Sequence, residues 1–162
     1  MKSHALIVLF SLVSITCTDA GVDPPPLVVA DDIREAVLRY MFADNIELQY
    51  GPMAEYFVSF CSIDTPSSMY RNYQDPSEEF INRFSGYPLP VKSGSGCSVS
   101  LSGVVDRVSG EKGMLFFVGD IMVQDHNHVK VLAGNPLELR VFLMSRSGFK
   151  WNVDRVGLIW IS

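Results

Sequence analysis

The sequence predicts an α+β fold in which helices pack on one face of a curved antiparallel sheet. Two observations lead to this class. Two segments before residue 90 carry apolar residues at helical spacing behind capping residues. The last third of the chain, from residue 103 onward, contains consecutive strand patterns separated by turn residues. Helices followed by a run of neighbouring strands are typical of α+β domains.

The composition is that of one domain with a sizeable core, since the chain has 162 residues of which 48% are hydrophobic and 19% charged. The formal net charge is -5 and the charges are scattered, without a basic stripe. We therefore expect no nucleic-acid partner and no anionic-membrane partner. After the N-terminal segment, no stretch has the roughly 20 apolar residues of a transmembrane helix, so we expect no membrane span.

The N-terminus predicts export. Residues 1–20 combine an early lysine, an apolar run over residues 5–13 and small residues up to Ala20, which are the features of a secretory signal peptide. Cleavage after Ala20 predicts a secreted or periplasmic protein. The alternative is a lipoprotein anchored at Cys17, although the preceding residues 14–16 fit the usual lipidation signal poorly.

The single domain is expected over residues 31–162. Residues 21–30 include three consecutive prolines and predict a stiff, extended spacer. The first helix is expected to be capped by Asp32, with Glu35 three residues later, and to end near Asn45. The apolar stripe of this helix comprises Ile33, Ala36, Val37, Tyr40 and Met41.

The first strand is expected at residues 55–63, a segment rich in aromatic and β-branched residues. Alternation divides its side chains between two faces. One face carries Tyr56, Val58 and Phe60, and the other carries Phe57, Ser59 and Cys61.

The most specific stretch covers residues 75–97 and predicts a short capped helix. Asp75 is the expected N-cap, Pro76 suits the first helical position, and Glu78 completes a capping box. Gly86 is the expected end of the helix. The alternating serines and glycines of residues 93–96 then predict a flexible linker.

Five further strands are expected at residues 103–108, 113–124, 129–133, 137–145 and 149–162. The fourth alternates clearly, which predicts an inward face of Leu137, Leu139, Val141 and Leu143 and an outward face of Glu138 and Arg140. Residues 114–118 are apolar on both faces, which predicts a central strand. Such a strand would be covered by the helices on one face and by a partner on the other.

Two resemblances accompany these patterns. The order of elements, with a closing hairpin Gly148-Phe149-Lys150-Trp151-Asn152-Val153, resembles the cystatin-like and NTF2-like superfamily and implies its curved sheet. A second pattern is similar to a group of uncharacterised bacterial secreted proteins and implies export without assigning an activity. That pattern comprises Asp75-Pro76-Ser77, Phe80, Arg83-Phe84, Gly86, Pro90-Val91 and Ser95-Gly96-Cys97, with an earlier Cys61 and a Trp160-Ile161-Ser162 ending.

Cys61 and Cys97 are expected to form a disulfide. They are the two cysteines that remain after signal cleavage, and an exported chain meets an oxidising compartment. Closing this loop would stabilise the fold by about 3 to 4 kcal/mol on the chain-entropy account. The alternative assigns one of the two thiols to nucleophilic chemistry.

The histidine cluster at residues 125–128 allows two interpretations. In an extended segment, His126 and His128 would point to the same side and could hold a metal with Asp120 or Asp125, or one could act as a general base. We favour a polar hairpin turn, because Asp and Asn are turn formers. No metal and no cofactor are predicted.

The remaining candidates favour structural roles, so we assign no catalytic residue. Ser77 fits helix capping better than nucleophilic catalysis, and Arg83 favours a structural ion pair over a ligand contact. The sequence therefore predicts an exported, non-catalytic domain that binds a ligand or a protein. The alternative is a small NTF2-like hydrolase or isomerase that uses a pocket His, Asp or Tyr. Titratable groups converging inside the sheet's concave side would favour the enzyme, and an apolar, filled concave side would favour binding.

Overall fold

The structure is a computed structural model that describes residues 27–44, 51–62, 73–100 and 102–161. The predicted signal peptide, Cys17 and most of the predicted spacer lie outside these residues. Within them, two α-helices and eight strands form an α+β fold with an open, mostly antiparallel sheet, which confirms the predicted class. The elements are α1 (Leu27–Ala43), β1 (Glu55–Phe60), α2 (Glu78–Asn82), β2 (Val91–Ser93), a 3₁₀ turn (Gly94–Gly96), β3 (Cys97–Ser100), β4 (Gly103–Asp106), β5 (Lys112–Val123), β6 (His128–Asn135), β7 (Glu138–Ser147) and β8 (Lys150–Ile161).

The main strand order is β2-β1-β5-β6-β7-β8. Two strands lie off this path: β4 pairs with β5, and β3 pairs with β4. The sheet differs from the expected antiparallel arrangement at β1, which is parallel to both β2 and β5. The chain between β1 and β2 passes through α2, and a crossover of this kind returns the strand in the same direction. Register shifts between Val118 and Ile121 and along β7 interrupt the regular pairing, and such bulges bend strands.

Helix α1 fills the space over one face of the sheet. Its fully buried side chains share one core with α2 and with the facing residues of β1, β5, β6 and β7. Phe42 stacks on Tyr56 at 4.7 Å between ring centroids and makes edge contacts with Phe84 and Phe116. The predicted stripe was partly right, because the buried face also includes Leu38 and Phe42 and leaves Tyr40 at the surface. The buried residues of α1 that join this core are Ile33, Val37, Leu38, Met41 and Phe42.

The first helix begins earlier than expected, at Leu27 rather than near Asp32. The additional turn buries Ala30, which gives this turn a packing role. Asp32 is therefore an internal helix residue, and its carboxylate accepts a hydrogen bond from Arg83 instead of capping the helix. The helix ends at Ala43, and the expected stop at Asn45 lies outside the described residues.

The N-cap of α2 is Ser77, so the prediction of Asp75 was wrong. The Ser77 hydroxyl accepts a hydrogen bond from the Phe80 amide at 3.1 Å. Asp75 instead accepts one from the backbone of Ser95. The helix has only five residues and ends before Gly86, yet it places Phe80 in the main core.

Strand β5 is the central strand predicted from its apolar run. Met114, Phe116 and Val118 face the helices, and Leu115 and Phe117 lie on the opposite face. The expected partner on that second face is replaced by parts of the same chain. Cys97 and Val104 of the β3–β4 hairpin cover Leu115, while Cys61, Leu139 and Tyr73 contact Phe117.

The predicted inward face of β7 was wrong. The helix-facing core takes Phe142 and Met144, which are 0% and 1% exposed, whereas Leu137 precedes the strand and is 38% exposed. Arg140 shares the face of Phe142 and forms ion pairs with Asp44, just after α1, and with Glu138. These pairs explain how charged residues occupy the face that packs against the helix. Of the four predicted inward residues, Leu139 alone is fully buried, and it lies in the smaller core on the other face.

The Ser-Gly-Ser-Gly segment is structured, contrary to the expected flexible linker. Residues Gly94–Gly96 form a 3₁₀ turn that packs directly on β1. A Cβ at Gly94 would lie 1.9 Å from the hydroxyl oxygen of Ser59, so a glycine is required for this approach. Neither described helix has the length and hydrophobicity that a membrane crossing requires.

Candidate functional site

Three of the concave surfaces on the described part of the protein are large enough to consider as sites. The helix–hairpin groove, about 620 Å³, separates α1 from the β7–β8 turn and is lined by Asp32, Glu35, Tyr40, Phe149 and Lys150 among others. The apolar cleft, about 220 Å³, lies between the β3–β4 hairpin and the β6–β7 turn and includes Met53, Met114 and Leu137. The sheet-face cavity, about 390 Å³, lies on the face opposite α1 and is lined by Ser59, Tyr73, Asp75, Gly94, Ser95, Cys97, Val99, Arg107 and Leu115.

The sheet-face cavity is built by elements that are distant in sequence. Alternation along β1 turns Ser59 to this face, and β5 contributes Leu115. The close approach of Gly94 to β1 brings the 3₁₀ turn over the sheet, and Cys97 and Val99 continue the same wall along β3. The wall therefore depends on the glycine contact and on strand alternation together.

Two opposite charges line this cavity, Asp75 and Arg107. One carboxylate oxygen of Asp75 accepts a hydrogen bond from the Ser95 amide at 2.9 Å. The Arg107 backbone amide donates to the Gly96 carbonyl at 2.9 Å, and its Nε donates to the Cys97 carbonyl at 2.6 Å. Among the described residues, no ion pair joins the two side chains.

Both cysteines lie on this face of the sheet as free, buried thiols. Cys97 packs with Phe57 and Leu115, and its Sγ donates to the Gly94 carbonyl at 3.2 Å. Cys61 packs in a separate cluster with Phe117. Burial raises the pKa of Cys97, and burial together with the charge of Asp120 raises the pKa of Cys61 to about 11. Neutral thiols are poor nucleophiles, which disfavours the chemical alternative; the Cys61–Cys97 disulfide stays a prediction.

The acids of the helix–hairpin groove are engaged in ion pairs. Arg83 contacts Asp32 at 2.8 Å and Glu35 at 3.0 Å, and Glu35 also contacts Arg39 at 2.8 Å. The structural ion pair expected for Arg83 is therefore present, and it joins the end of α2 to α1. On the other side of the groove, Phe149 lies at the hairpin tip with 95% of its surface exposed.

A charge cluster of two buried carboxylates and the half-exposed Lys92 has no counterpart in the sequence predictions. The Lys92 ammonium contacts the buried carboxylates of Glu55 and Asp106, the latter at 2.8 Å. Lys92 and the amides of Val108 and Ser109 hold the pKa of Asp106 well below its usual range. Hydrogen bonds to both acids raise the pKa of Lys92, so it stays protonated and is a poor general base. The cluster ties β1, β2 and β4 together, and no local pattern signals contacts between such distant segments.

The histidine cluster forms the turn between β5 and β6. Asp125 accepts a hydrogen bond from the Asn127 amide at 2.8 Å and contacts Nδ1 of His128 at 2.9 Å. Asp120, the other proposed ligand, accepts from Ser62 instead. Within the described ranges, no group of three or more His, Cys, Asp or Glu residues is arranged to hold a metal ion.

These features define a class of protein: an α+β domain with a helix-covered sheet face and, on the opposite face, a cavity that carries polar and charged groups in a largely apolar wall. The chain matches no protein-family model, and comparison with curated proteins and with solved structures found no match. From its sequence context Asp75 was predicted only as a helix cap, and no sequence pattern marks Arg107. Their shared cavity depends on the fold, since the two residues are far apart along the chain.

Proposed function

We propose that this protein is an exported, non-catalytic domain that binds a small-molecule ligand in the sheet-face cavity. The observation that carries the proposal is the contrast between the two faces of the sheet. The helix-covered face is filled with apolar side chains, whereas the opposite face keeps a cavity of about 390 Å³ whose largely apolar wall carries a few polar and charged groups. Ligand cavities typically have volumes of about 300–1,000 Å³ and a few well-placed polar groups.

The filled face argues against the enzyme alternative. A small NTF2-like hydrolase or isomerase would need titratable groups that converge between the helices and the sheet, where Phe42, Val58 and Phe116 occupy the space. The His126 and His128 side chains are exposed at a turn instead. The remaining candidate nucleophile, Cys97, is disfavoured because its raised pKa keeps it a neutral thiol at neutral pH.

The architecture and the location complete the proposal. The packing of α1 across one sheet face supports the cystatin-like or NTF2-like resemblance as the proposed architecture. The signal-peptide features of residues 1–20 support a secreted or periplasmic location. A lipoprotein anchored at Cys17 would present the same cavity to the same compartment.

A thermal-shift screen of the purified protein against a library of soluble metabolites tests the function. A ligand present at 100 times its Kd stabilises the folded state by about 2.7 kcal/mol. For a domain of this size, such stabilisation raises the Tm by roughly 5 to 10 °C. Failure of every compound to raise the Tm would contradict the proposal.

Three matched variants locate the binding site. Val99 lines both the sheet-face cavity and the apolar cleft, Leu137 lines the cleft alone, and Val105 lines neither. All three side chains are at least 37% exposed, so a tryptophan can be introduced at each without overfilling a core. We expect Val99→Trp to abolish the ligand-induced shift and the other two tryptophan variants to retain it. Loss of the shift in Leu137→Trp as well would place the ligand in the apolar cleft and contradict the assigned site.

A further inference from the structure

We infer that the ligand of the sheet-face cavity is a zwitterion with a carboxylate and an ammonium group, as in an amino acid or a short peptide. The inference rests on the proposed function and assigns a ligand class to the same cavity. Its basis is the juxtaposition of Asp75 and Arg107, two opposite charges that line one cavity. No ion pair between them is present in the described residues, so each can serve a ligand group.

Arg107 is arranged to bind the carboxylate. Its backbone amide and its Nε are held by the carbonyls of Gly96 and Cys97. These contacts use the Nε–H and leave the two Nη groups, for which the described residues provide no hydrogen-bond acceptor. Paired guanidinium N–H groups match the geometry of a carboxylate and form two parallel charge-assisted hydrogen bonds. Because the side chain is already anchored at Nε, less conformational freedom is lost on binding.

Asp75 is arranged to bind the ammonium group. Its Oδ1 accepts the hydrogen bond from Ser95, and this contact holds the carboxylate at the cavity wall. An ionised carboxylate accepts several hydrogen bonds, so its second oxygen can accept from an ammonium donor. The interaction is charge-assisted and therefore stronger than a neutral hydrogen bond.

The two charges together disfavour ligands with one charge. A simple carboxylate bound to Arg107 would lie in the same cavity as the like charge of Asp75, and a simple amine at Asp75 would lie near the guanidinium. Like-charge juxtaposition of this kind selects against the wrong ligand. Leu115, Val99 and the ring of Tyr73 offer an apolar surface for the body of the ligand. The cavity thus favours a zwitterion with an apolar side chain.

Isothermal titration calorimetry with defined probes tests this class. The probes are the twenty amino acids and the dipeptides Leu-Leu and Phe-Phe, which separate a free amino acid from a peptide as the source of the two charges. The tightest probe is then compared with its primary amide, which lacks the carboxylate, and with its desamino acid, which lacks the ammonium group. We expect each analogue to bind at least about tenfold more weakly, the loss that removal of a charged hydrogen-bond partner produces. Equal binding of the probe and either analogue would overturn the inference.

Two variants should change this selectivity in opposite ways. Asp75→Asn keeps an acceptor for Ser95 and should weaken binding of the zwitterion about tenfold, whereas binding of the desamino acid should become stronger because the like charge is removed. Arg107→Gln should weaken binding of the zwitterion and strengthen binding of the primary amide, because the like charge of the guanidinium is removed. Arg107→Lys should restore part of the affinity for the zwitterion. Structural damage would weaken binding of the zwitterion and of both analogues alike, so it would not produce this difference between ligands. The matched controls, Glu79→Gln and Arg155→Gln, remove exposed charges that do not line the cavity and should bind as the wild type does.

The zwitterion inference can be wrong while the proposed binding function is correct. If no amino acid or dipeptide binds while another metabolite gives a thermal shift that Val99→Trp abolishes, the ligand class is wrong and the binding function stands. If the variants at both charged positions weaken binding of the zwitterion and of both analogues to the same extent, the two charges do not recognise separate ligand groups. That result would also overturn the zwitterion inference.

Discussion

The substitution Gly94→Ala tests the contact on which the sheet-face cavity depends. A Cβ at this position would lie 1.9 Å from the Ser59 hydroxyl oxygen and 3.2 Å from the Val58 carbonyl oxygen. Ordinary contacts between heavy atoms are about 3.5 to 4.0 Å, so the added methyl group overlaps the hydroxyl by more than an ångström. Ser59 is 2% exposed and its surroundings are packed, which restricts its movement. We expect the free energy of unfolding to fall by about 2 to 3 kcal/mol, the upper part of the range for overpacked cores.

Gly96→Ala is the matched control, because it lies in the same 3₁₀ turn. Its Cβ would meet Phe57 at 3.5 Å, an ordinary contact, and the expected change is within about 0.5 kcal/mol. Both substitutions restrict the unfolded chain to a similar extent, so the difference between them reports the steric overlap. Urea unfolding followed by circular dichroism measures both values. The Tm of Gly94→Ala should fall by roughly 4 to 12 °C, at about 2 to 4 °C for each kcal/mol.

A second substitution identifies the atom responsible. Ser59→Ala removes the overlapping oxygen and leaves the Ser59 Cβ at 3.1 Å as the nearest atom. In this background, the cost of Gly94→Ala should decrease by at least about 1 kcal/mol. Equal stability of the Gly94→Ala and Gly96→Ala variants, or a cost that Ser59→Ala does not reduce, would refute the packing argument.

Further predictions concern pH, the core face of β7 and the cysteines. Asp106 has a depressed pKa in the folded state, so its stabilising contribution is present at neutral pH and is lost as pH falls below about 4. The difference in unfolding free energy between the wild type and Asp106→Asn should therefore become smaller below that pH. A difference that is constant with pH would contradict this prediction. Phe142→Ala should lower the free energy of unfolding in urea by about 3 to 5 kcal/mol because Phe142 is fully buried, whereas Val141→Ala, at a half-buried position, should lower it by about 1 kcal/mol or less. Equal losses would contradict the assignment of the Phe142 face of β7 to the core. In the reduced protein at about pH 8, Cys61 and Cys97 should react slowly with iodoacetamide when folded and rapidly in urea, because burial raises both pKa values; rapid alkylation of the folded protein would contradict this. Export is a prediction, and so is the disulfide; the mass of protein recovered from the periplasm without reductant should be two hydrogens lower than the reduced mass, and two free thiols in that material would contradict the predicted disulfide.

Local patterns were sufficient for the class and for most elements. Strands β5, β7 and β8 begin and end within about two residues of their predicted bounds, because apolar runs and turn residues act over short distances. The same patterns could not determine which face of β7 receives α1. The alternation of leucines suggested one face, yet ion pairs of Arg140 with Asp44 and Glu138 allow the other face to be the core.

Capping and linker chemistry were ambiguous for a related reason. Asp75 and Ser77 are both good N-caps, and the choice between them depends on Ser95, whose amide binds Asp75. Glycines at 94 and 96 suit a flexible linker and also a close approach to a strand. The position of Ser59 beneath Gly94 requires the second role.

Local sequence patterns predict an export signal at the N-terminus, the α+β class and the strand-rich last third, because each of these features depends on residues close together in sequence. The candidate site has a different origin. Asp75 and Arg107 lie before α2 and after β4, and they line one cavity because the β3–β4 hairpin folds over β1 and β5. Contacts between distant segments have no local sequence signal, so long-range packing determines which charges meet and which remain available to a ligand.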